Sequence, residues 1–439
     1  MTPTPASAED ASAALAARVR ELYPICRSIT GNGVRQTLEL LSRQLPLSIV
    51  EVPSGTQVLD WTVPREWNIR EAWLADAQGR RVIDFQNHNL HVVNYSVPIR
   101  ARMSLEELRP RLHALPDRPD LIPYRTSYYE ENWGFCLTQR QLDALAPGEY
   151  EVCIDSTLEP GSLTYGELIL PGSSADEILI SAHVCHPSLA DDNLSGIAVA
   201  SFLAEELARQ PERRHTFRFL FAPGTIGAIT WLARNRDTAK RIRHGLTLTC
   251  LGDHHPFTYK RTVAGSTLID RAAAHVLQHS GFAQQTIDFF PYGYDERQYN
   301  SPGFRLAVGS LMRGRHGQFP EYHTSGDNLD FVSGERLNES LLVLRRIVAL
   351  LEANERYSNL APFGEPQLGS RGLYRALGGT SIPDLQLAMF WVLNLSDGSH
   401  TLLDIAERAQ MNFTVVHGAA ELLLAHDLLA KAPQERSSI

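Results

Sequence analysis

The sequence predicts an α/β protein whose main domain is a mostly parallel sheet with helices on both faces. Between about residues 160 and 355, short apolar runs alternate with segments of helical periodicity, which is typical of a parallel sheet covered on both sides. Residues 48–155 contain short β-branched and aromatic segments instead, which predicts a small inserted β-rich domain. Three helical patterns near the end of the chain predict a C-terminal winged-helix domain.

The first two helices are predicted at residues 9–23 and 34–44, where apolar residues recur at helical spacing on either side of a glycine-containing turn. Since these helices need a core on which to pack, we assign them to the main domain, which is then discontinuous. The predicted boundaries are 1–47 with 156–360 for the α/β domain, 48–155 for the inserted β-rich domain, and 380–439 for the winged-helix-like domain.

Within the main domain, the strands and helices alternate along the chain. The predicted strands are residues 177–183, 215–222 and 245–252, and the predicted helices are residues 196–209, 226–235, 266–279 and 334–353. A short helix is predicted at residues 104–113 of the inserted domain. Glycine-rich residues 362–379 predict a linker, followed by helices at residues 385–394, 400–408 and 412–427.

Composition narrows the class of protein. The 439 residues are 43% hydrophobic and 21% charged, which is ordinary for a soluble chain of more than one domain. The net charge of −9 argues against a general nucleic-acid binder. We find no signal peptide and no apolar run near the roughly 18 residues that span a bilayer. The five scattered cysteines do not suggest a disulfide framework, so we expect a reducing cytoplasm.

One loop carries the chemistry that the sequence makes most visible. His183 ends an apolar strand, Asp191 and Asp192 follow closely, and Ser195-Gly196 open a helix. A histidine and carboxylates at the carboxyl end of such a strand are typical of a metal site at the sheet edge. More than a hundred residues later, His323 lies among polar loop residues.

These residues resemble the zinc aminopeptidases of the bacterial leucyl aminopeptidase and glutamate carboxypeptidase type, over about residues 160–355. The resemblance implies a zinc cofactor, with Asp192 as the carboxylate that bridges two metals. It also implies that His183 and Asp253 bind one metal and that His323 binds the other.

The chain departs from this pattern at three positions. Gly224 and Thr225 stand where the family has two glutamates, the general base and a metal ligand, and neither residue replaces those functions well. Cys185 stands where the family has an aspartate that orients the first histidine. We therefore expect one zinc, held by His183, Asp192 and either Asp253 or His323. If only the base is lacking, Gly224→Glu should raise aminopeptidase activity.

Other carboxylates are candidates for the missing catalytic group. Asp191, Glu296 and its neighbour Asp295 are the nearest in sequence context. Arg297 could bind a substrate carboxylate with its two parallel donors, or it could form a structural ion pair with Asp295 or Glu321.

Four segments make the resemblance more specific, at residues 23–31, 185–189, 295–299 and 321–325. They resemble a bacterial subgroup of aminopeptidase-like proteins with an inserted β domain and a winged-helix tail, often found with polysaccharide or natural-product biosynthesis genes. This resemblance covers nearly the whole chain.

Three features of the sequence each allow two interpretations. His186 could be a ligand, but Pro187 beside it favours a packed turn residue. The aromatic run 124–135 could be a lid over the site or a domain interface. In the tail, residues 412–422 contain no lysine or arginine, so we favour protein interaction or dimerisation over DNA binding.

Two functions from different classes follow. The first is a zinc-dependent amidohydrolase that acts on a small amide or peptide-like substrate, without membrane association and with a possible homo-oligomeric state. The second is a pseudoenzyme that uses the same fold to bind a metabolite or a protein, because Gly224 and Thr225 remove the base and a ligand. A ligase or transferase is a third, weaker possibility, and the chain has no phosphate-binding loop motif.

Overall fold

The computed structural model describes residues 8–373 and 384–432. The chain divides into two compact units, one formed by the residues up to Thr267 with Ala283–Leu342, the other by Leu268–Phe282 with the residues from Val343 on. In the described part of the chain, no helix has both the length and the apolar character that crossing a membrane requires.

The first unit is built on an eight-stranded mixed sheet. Its strand order is Ser48–Pro53, Ser162–Leu170, Thr216–Ala222, Glu177–His183, Ile242–Leu248, Val308–Met312, Phe257–Lys260 and Gln284–Ile287. The four middle strands are mutually parallel, whereas Ser162–Leu170 and Phe257–Lys260 run antiparallel to them. Every residue of Glu177–His183 is buried, as a central parallel strand requires.

Helices of this unit follow the strands as the sequence predicts. Leu220 and Ala222 share a core cluster with Ile226 and Ile229 of the next helix, and Trp231 donates to the Glu167 carboxylate at 2.7 Å. The helices, apart from those of the second unit, are Ala8–Leu22, Asn32–Ser42, Leu105–Leu108, Gln139–Asp143, Gly196–Arg209, Ile226–Arg234, Arg236–Ala239, Glu296–Tyr299 and Gly334–Ala353, of which the last continues into the second unit.

The inserted segment forms its own four-stranded antiparallel sheet, in the order Arg81–Asp84, Glu66–Ala75, Glu149–Glu159 and Ile99–Ser104. Two small sheets pair Gln57–Val58 with Trp61–Thr62 and Leu112–His113 with Phe135–Cys136. The helix predicted at residues 104–113 is α-helical only over Leu105–Leu108. A 3₁₀ turn follows at Arg109–Arg111, because Pro110 has no amide hydrogen with which to continue the helix.

The second unit contains a three-stranded sheet in the order Asp397–Thr401, Arg356–Asn359 and Leu429–Lys431. Its helices are Leu268–Gln278, Asp384–Leu395, Leu402–Ala409 and Phe413–Ala425, with a 3₁₀ turn at Gly369–Arg371. Thr401 and Asp404 form a reciprocal capping box at the start of one helix. Of the predicted linker and tail domain, residues 374–383 and 433–439 lie outside the described part of the chain.

Candidate metal centre

Asp192 is the centre of a buried polar cluster at the carboxyl ends of the middle strands. Its Oδ1 lies 2.8 Å from His183 Nε2, and its Oδ2 lies 3.1 Å from His323 Nε2. His186 Nδ1 lies 3.2 Å from His183 Nε2 and 3.6 Å from Asp192 Oδ1. The cluster therefore contains one carboxylate and three imidazoles.

The backbone around Asp192 is fixed by a second carboxylate. Asp327 accepts hydrogen bonds from the Asp191 and Asp192 amides, at 2.6 and 2.9 Å. The Asn193 side chain donates to Leu248 O at 2.9 Å, at the end of the neighbouring strand. These bonds tie the loop after His183 to the sheet edge and set the direction of the Asp192 side chain.

A buried arginine from the segment between the first two helices contacts the backbone of His186. Arg27 is 1% exposed, and its Nε donates to the His186 carbonyl oxygen at 2.8 Å. His186 is thereby turned toward Asp192, although it lies in the loop that follows the strand.

His323 reaches the cluster from the other side, and the inserted domain supports it. The Tyr124 amide donates to His323 O at 2.8 Å, and the Tyr124 ring meets the rings of both His186 and His323 edge-on at 5.1 Å. Tyr322 stacks on His323 with ring centroids 4.0 Å apart. The side chain of His323 is 33% exposed, whereas those of His183 and Asp192 are almost fully buried, so the cluster is accessible from this side.

The protonation states in the cluster suit metal binding. Burial lowers the pKa of His186 well below its usual range, which favours neutral imidazole. Burial alone would raise the pKa of Asp192, but His186, His183 and His323 outweigh it and hold that pKa well below its usual range. Neutral imidazole and ionised carboxylate are the forms that bind metals.

The distances within the group His183, His186 and Asp192 also fit zinc. Their ligand atoms all lie within 4.8 Å of one another. A tetrahedral zinc with bonds of about 2.0–2.1 Å separates neighbouring ligand atoms by roughly 3.3 Å. The three measured separations of 2.8, 3.2 and 3.6 Å surround that value.

Asp253, predicted as a ligand, lies in a different hydrogen-bond network. Its Oδ2 accepts from the Gly314 amide at 2.9 Å, and its Oδ1 accepts from the His255 amide at 2.6 Å. The residue that it faces is Asp191, whose Oδ1 accepts from the Gly252 amide at 2.7 Å. Burial, followed by the charges of Asp253 and Asp327, raises the pKa of Asp191 well above its usual range. Asp191 and Asp253 thus form an acidic pair next to the group of His183, His186 and Asp192.

The place beside Gly224 is filled by a tyrosine. A Cβ added at Gly224 would lie 1.8 Å from Tyr294 Cε1. The Tyr294 ring stacks on His183 with centroids 3.7 Å apart, and its hydroxyl oxygen lies 3.2 Å from Cys185 Sγ and 3.4 Å from His186 Nε2. The Cβ of a glutamate at position 224 would meet this phenol ring, so the activity gain expected of Gly224→Glu would require the Tyr294 ring to move.

A buried ion pair holds the loop that carries Tyr294. Lys260 pairs with Glu296 and donates to the carbonyl oxygens of Phe290 and Tyr292, at 3.1 and 3.0 Å. Glu296 in turn accepts from the Tyr294 amide at 3.0 Å. The structure thus places Glu296 in the support of Tyr294.

Arg297 and Asp295 differ in environment despite being neighbours. Arg297 is exposed, and within the described residues it makes no ion pair with Asp295 or Glu321. Asp295 is buried, and one of its oxygens has no hydrogen-bond partner within the described residues. Burial, followed by Glu296, raises the pKa of Asp295 well above its usual range.

A second group brings Asp192 together with Cys250 and His316, whose ligand atoms also lie within 4.8 Å of one another. Burial lowers the pKa of His316 to about 4 and raises that of the Cys250 thiol well above its usual range. Zinc binds thiolate rather than thiol, so this group fits the metal less well than the histidine group.

The sequence indicates several residues of this site only weakly. Its local pattern favours His186 as a turn residue, whereas the structure places the His186 imidazole next to that of His183, three residues earlier in the chain. It does not single out Asp327 and His316, because no local pattern distinguishes them from ordinary loop residues.

The mixed sheet of the first unit, with a carboxylate–imidazole cluster at the ends of its middle strands, has the fold seen in zinc aminopeptidases. A zinc aminopeptidase from Bacillus subtilis is similar in fold, with a TM-score of 0.55 at 14% identity over 78% of this chain and 94% of that one. Identity at this level shows a shared fold alone.

The chain belongs to the family described as domain of unknown function DUF4910, whose model matches residues 16–354, and a winged helix-turn-helix model matches residues 355–431. A protein of Clostridium acetobutylicum, provisionally named a polysaccharide biosynthesis protein with an aminopeptidase-like domain, is 51% identical over 412 residues, or 94% of each chain. The crystal structure of a provisionally named peptidase from the same species matches with a TM-score of 0.92 at 48% identity, over 97% of both chains. The predicted family resemblance, α/β fold class and winged-helix domain are confirmed.

Proposed function

We propose that the protein is a zinc-dependent, aminopeptidase-like hydrolase that cleaves an amide bond in a small or peptide-like substrate. The observation that carries the proposal is the placement of Asp192, with one carboxylate oxygen on His183 and the other on His323. Such a buried carboxylate between imidazoles is a metal-binding arrangement.

His183, His186 and Asp192 would hold the zinc, and His323 would contact the second oxygen of Asp192. Asp253 remains an alternative third ligand from the sequence, although its oxygens are engaged by Gly314 and His255. When bound, zinc would supply Lewis-acid polarisation of the scissile carbonyl and would lower the pKa of a water molecule.

The protein's own residues would contribute orientation and hydrogen-bond donation. Burial raises the pKa of Tyr294 well above its usual range, so its phenol stays protonated at neutral pH. It can therefore donate a hydrogen bond but cannot act as a general base. Its position against His183 and His186 fixes the direction of both imidazoles. Asp191 would act indirectly, behind Asp192, and the exposed Arg297 would be available to a substrate carboxylate.

The absence of the usual glutamate sets the expected rate. General base catalysis contributes about 10²–10⁴-fold to a typical enzyme. Because Gly224 and Thr225 stand at the glutamate positions, we expect turnover that is slower by about this factor than in an enzyme that keeps the base.

The first experiment is the metal content per chain, measured by elemental mass spectrometry on protein purified without chelator. We expect near-stoichiometric zinc in the wild type and a strong loss in His183→Ala, with no loss in His254→Ala, which removes an exposed histidine outside the group. If His183→Ala retains its metal, the assigned site is wrong. His186→Ala and Asp253→Asn then identify the third ligand, and we expect the larger loss from His186→Ala.

The second candidate function is a pseudo-peptidase that binds a metabolite or a protein without turnover. The observation that favours it is the Tyr294 ring in the space beside Gly224. Hydrolysis of any amide that requires the metal and is lost in His183→Ala would exclude this candidate.

A further inference from the structure

A shallow recess of about 30 Å³, open to solvent, lies beside His316 and is not used by the proposed function. We call it the Arg315 recess. The residues that define it here are Lys260, Phe290, Tyr292, Arg315, His316 and Gln318. Its lining contains two basic residues and no acidic one.

The recess is connected to the cluster on two sides. His316 lines it and also belongs to the group in which ligand atoms of Asp192 and Cys250 lie within 4.8 Å. The ring centroids of Tyr322 and His316 lie 5.9 Å apart, and the Tyr322 ring also stacks on His323. A molecule in the recess would therefore lie beside His316, whose ligand atom is within 4.8 Å of one of Asp192.

Only one of the two basic residues has its charge available. Lys260 is 3% exposed and is neutralised by Glu296. Arg315 is partly buried, and within the described residues no side chain or backbone group pairs with its guanidinium. Since an unpaired guanidinium offers two parallel donors, it matches a carboxylate in charge and geometry.

The other walls suit an organic group next to that charge. Phe290 and Tyr292 are each 55% exposed, which is unusual for such large apolar rings, and their centroids lie 6.5 Å apart. Exposed aromatic rings beside a shallow recess offer an apolar surface on which part of a ligand can pack. A carbon chain could pack on these rings while its carboxylate meets Arg315.

We propose that the Arg315 recess binds the part of the substrate that carries a carboxylate, so that the protein selects acidic amide substrates. The substrate class rests on the proposed hydrolase function, whereas carboxylate binding in the recess does not. One guanidinium balances one carboxylate, which favours an organic acid over a phosphate dianion.

The test is equilibrium binding measured by calorimetry, with glutarate as the probe and its uncharged diamide as the comparison. We expect glutarate to bind and the diamide to bind at least about tenfold more weakly, as is usual when a charge-assisted hydrogen bond is lost. Arg315→Gln should weaken glutarate binding by about tenfold, and Arg315→Lys, which keeps the charge without the planar fork, by less. Arg70→Gln is the matched control, because it removes an exposed arginine from the inserted sheet.

Several outcomes would overturn the proposal. These are equal binding of glutarate and the diamide, equal effects of Arg315→Gln and Arg70→Gln, or tighter binding of inorganic phosphate than of glutarate. Glutarate that binds the metal instead would lose affinity in His183→Ala and keep it in Arg315→Gln, which also overturns the proposal. Thermal unfolding of each variant checks that it is folded.

A hydrolysis assay separates this proposal from the proposed function. The substrates are glutamyl and glutaminyl p-nitroanilide, which differ only in the charged group. Metal-dependent turnover of both substrates at equal rates would refute carboxylate selection by the recess and would support the hydrolase function. Glutarate binding that depends on Arg315, without turnover of any amide, would refute the hydrolase function and would support carboxylate binding in the recess.

Discussion

The packing of Tyr294 against Gly224 can be tested by adding one methyl group. In Gly224→Ala, the new Cβ would lie 1.8 Å from Tyr294 Cε1 and 2.6 Å from Cζ. Since both atoms belong to a rigid ring that is stacked on His183 at 3.7 Å, the ring cannot turn aside without leaving that stack. Overpacking of this kind costs about 1–3 kcal/mol.

A double-mutant cycle isolates this contact from other effects. Tyr294→Ala removes a large ring from its packing against His183 and should lower the free energy of unfolding by about 3–5 kcal/mol, as for other aromatic-to-alanine changes in a core. In the double variant, the Cβ introduced at position 224 enters space that the ring has left, so the cost of Gly224→Ala should disappear. The coupling energy should therefore be about 1–3 kcal/mol and favourable.

The measurement is urea-induced unfolding of the wild type, both single variants and the double variant, followed by circular dichroism under one set of metal-free conditions. Gly227→Ala is a useful comparison, because its Cβ would meet Ala222 and Pro223 at 2.8 Å and not Tyr294. It should therefore show no coupling to Tyr294→Ala. If Gly224→Ala and Tyr294→Ala are additive, the ring does not fill the space beside Gly224, and the interpretation of this position is wrong.

Two further predictions concern stability. Lys260→Met leaves the Glu296 carboxylate buried without its partner and should destabilise the protein by about 3–5 kcal/mol, whereas Lys260→Met with Glu296→Gln should recover much of this loss in urea unfolding. His88 accepts a hydrogen bond from the Leu90 amide, and burial lowers its pKa to about 4. Its contribution to stability is therefore present above about pH 6.5 and is lost as the pH falls toward 4, at up to about 1.4 kcal/mol per unit. His88→Asn keeps a capping oxygen without titrating, so its stability should fall less than that of the wild type over this range. Equal slopes would contradict the assignment.

Local sequence patterns predicted the middle of the sheet better than its edges. Glu177–His183 is apolar throughout its centre and is followed by a helix, so both its type and its burial could be predicted. Val308–Met312 and Phe257–Lys260 were not predicted, because strands of five and four residues give too short a pattern. The antiparallel direction of Ser162–Leu170 depends on its partners, which a local pattern does not contain.

The candidate site shows the same division. His183, Asp192 and His323, predicted as ligands from their positions along the chain, have converging side chains. The position of His186 depends on Arg27, which is 159 residues away in sequence. The filling of the space beside Gly224 depends on Tyr294 in a separate loop. Contacts between residues so distant in sequence are fixed by the complete fold and have no local signal.

Cys185, Gly224 and Tyr294 together form one wall of the candidate site. Tyr294 lies against Gly224, its hydroxyl oxygen lies 3.2 Å from Cys185 Sγ, and Cys185 Sγ lies 3.7 Å from the Gly224 carbonyl oxygen, so the three residues are in mutual contact. Burial raises the pKa of the Cys185 thiol to about 12 and that of Tyr294 well above its usual range, so both groups keep their protons at neutral pH. A carboxylate in the same place would accept a proton, whereas a protonated phenol and thiol can donate hydrogen bonds but do not act as a general base at neutral pH. In the proposed hydrolase, this arrangement would favour stabilisation of negative charge on a bound molecule over proton abstraction. A single substitution at Gly224 cannot reverse it while the Tyr294 ring remains in place.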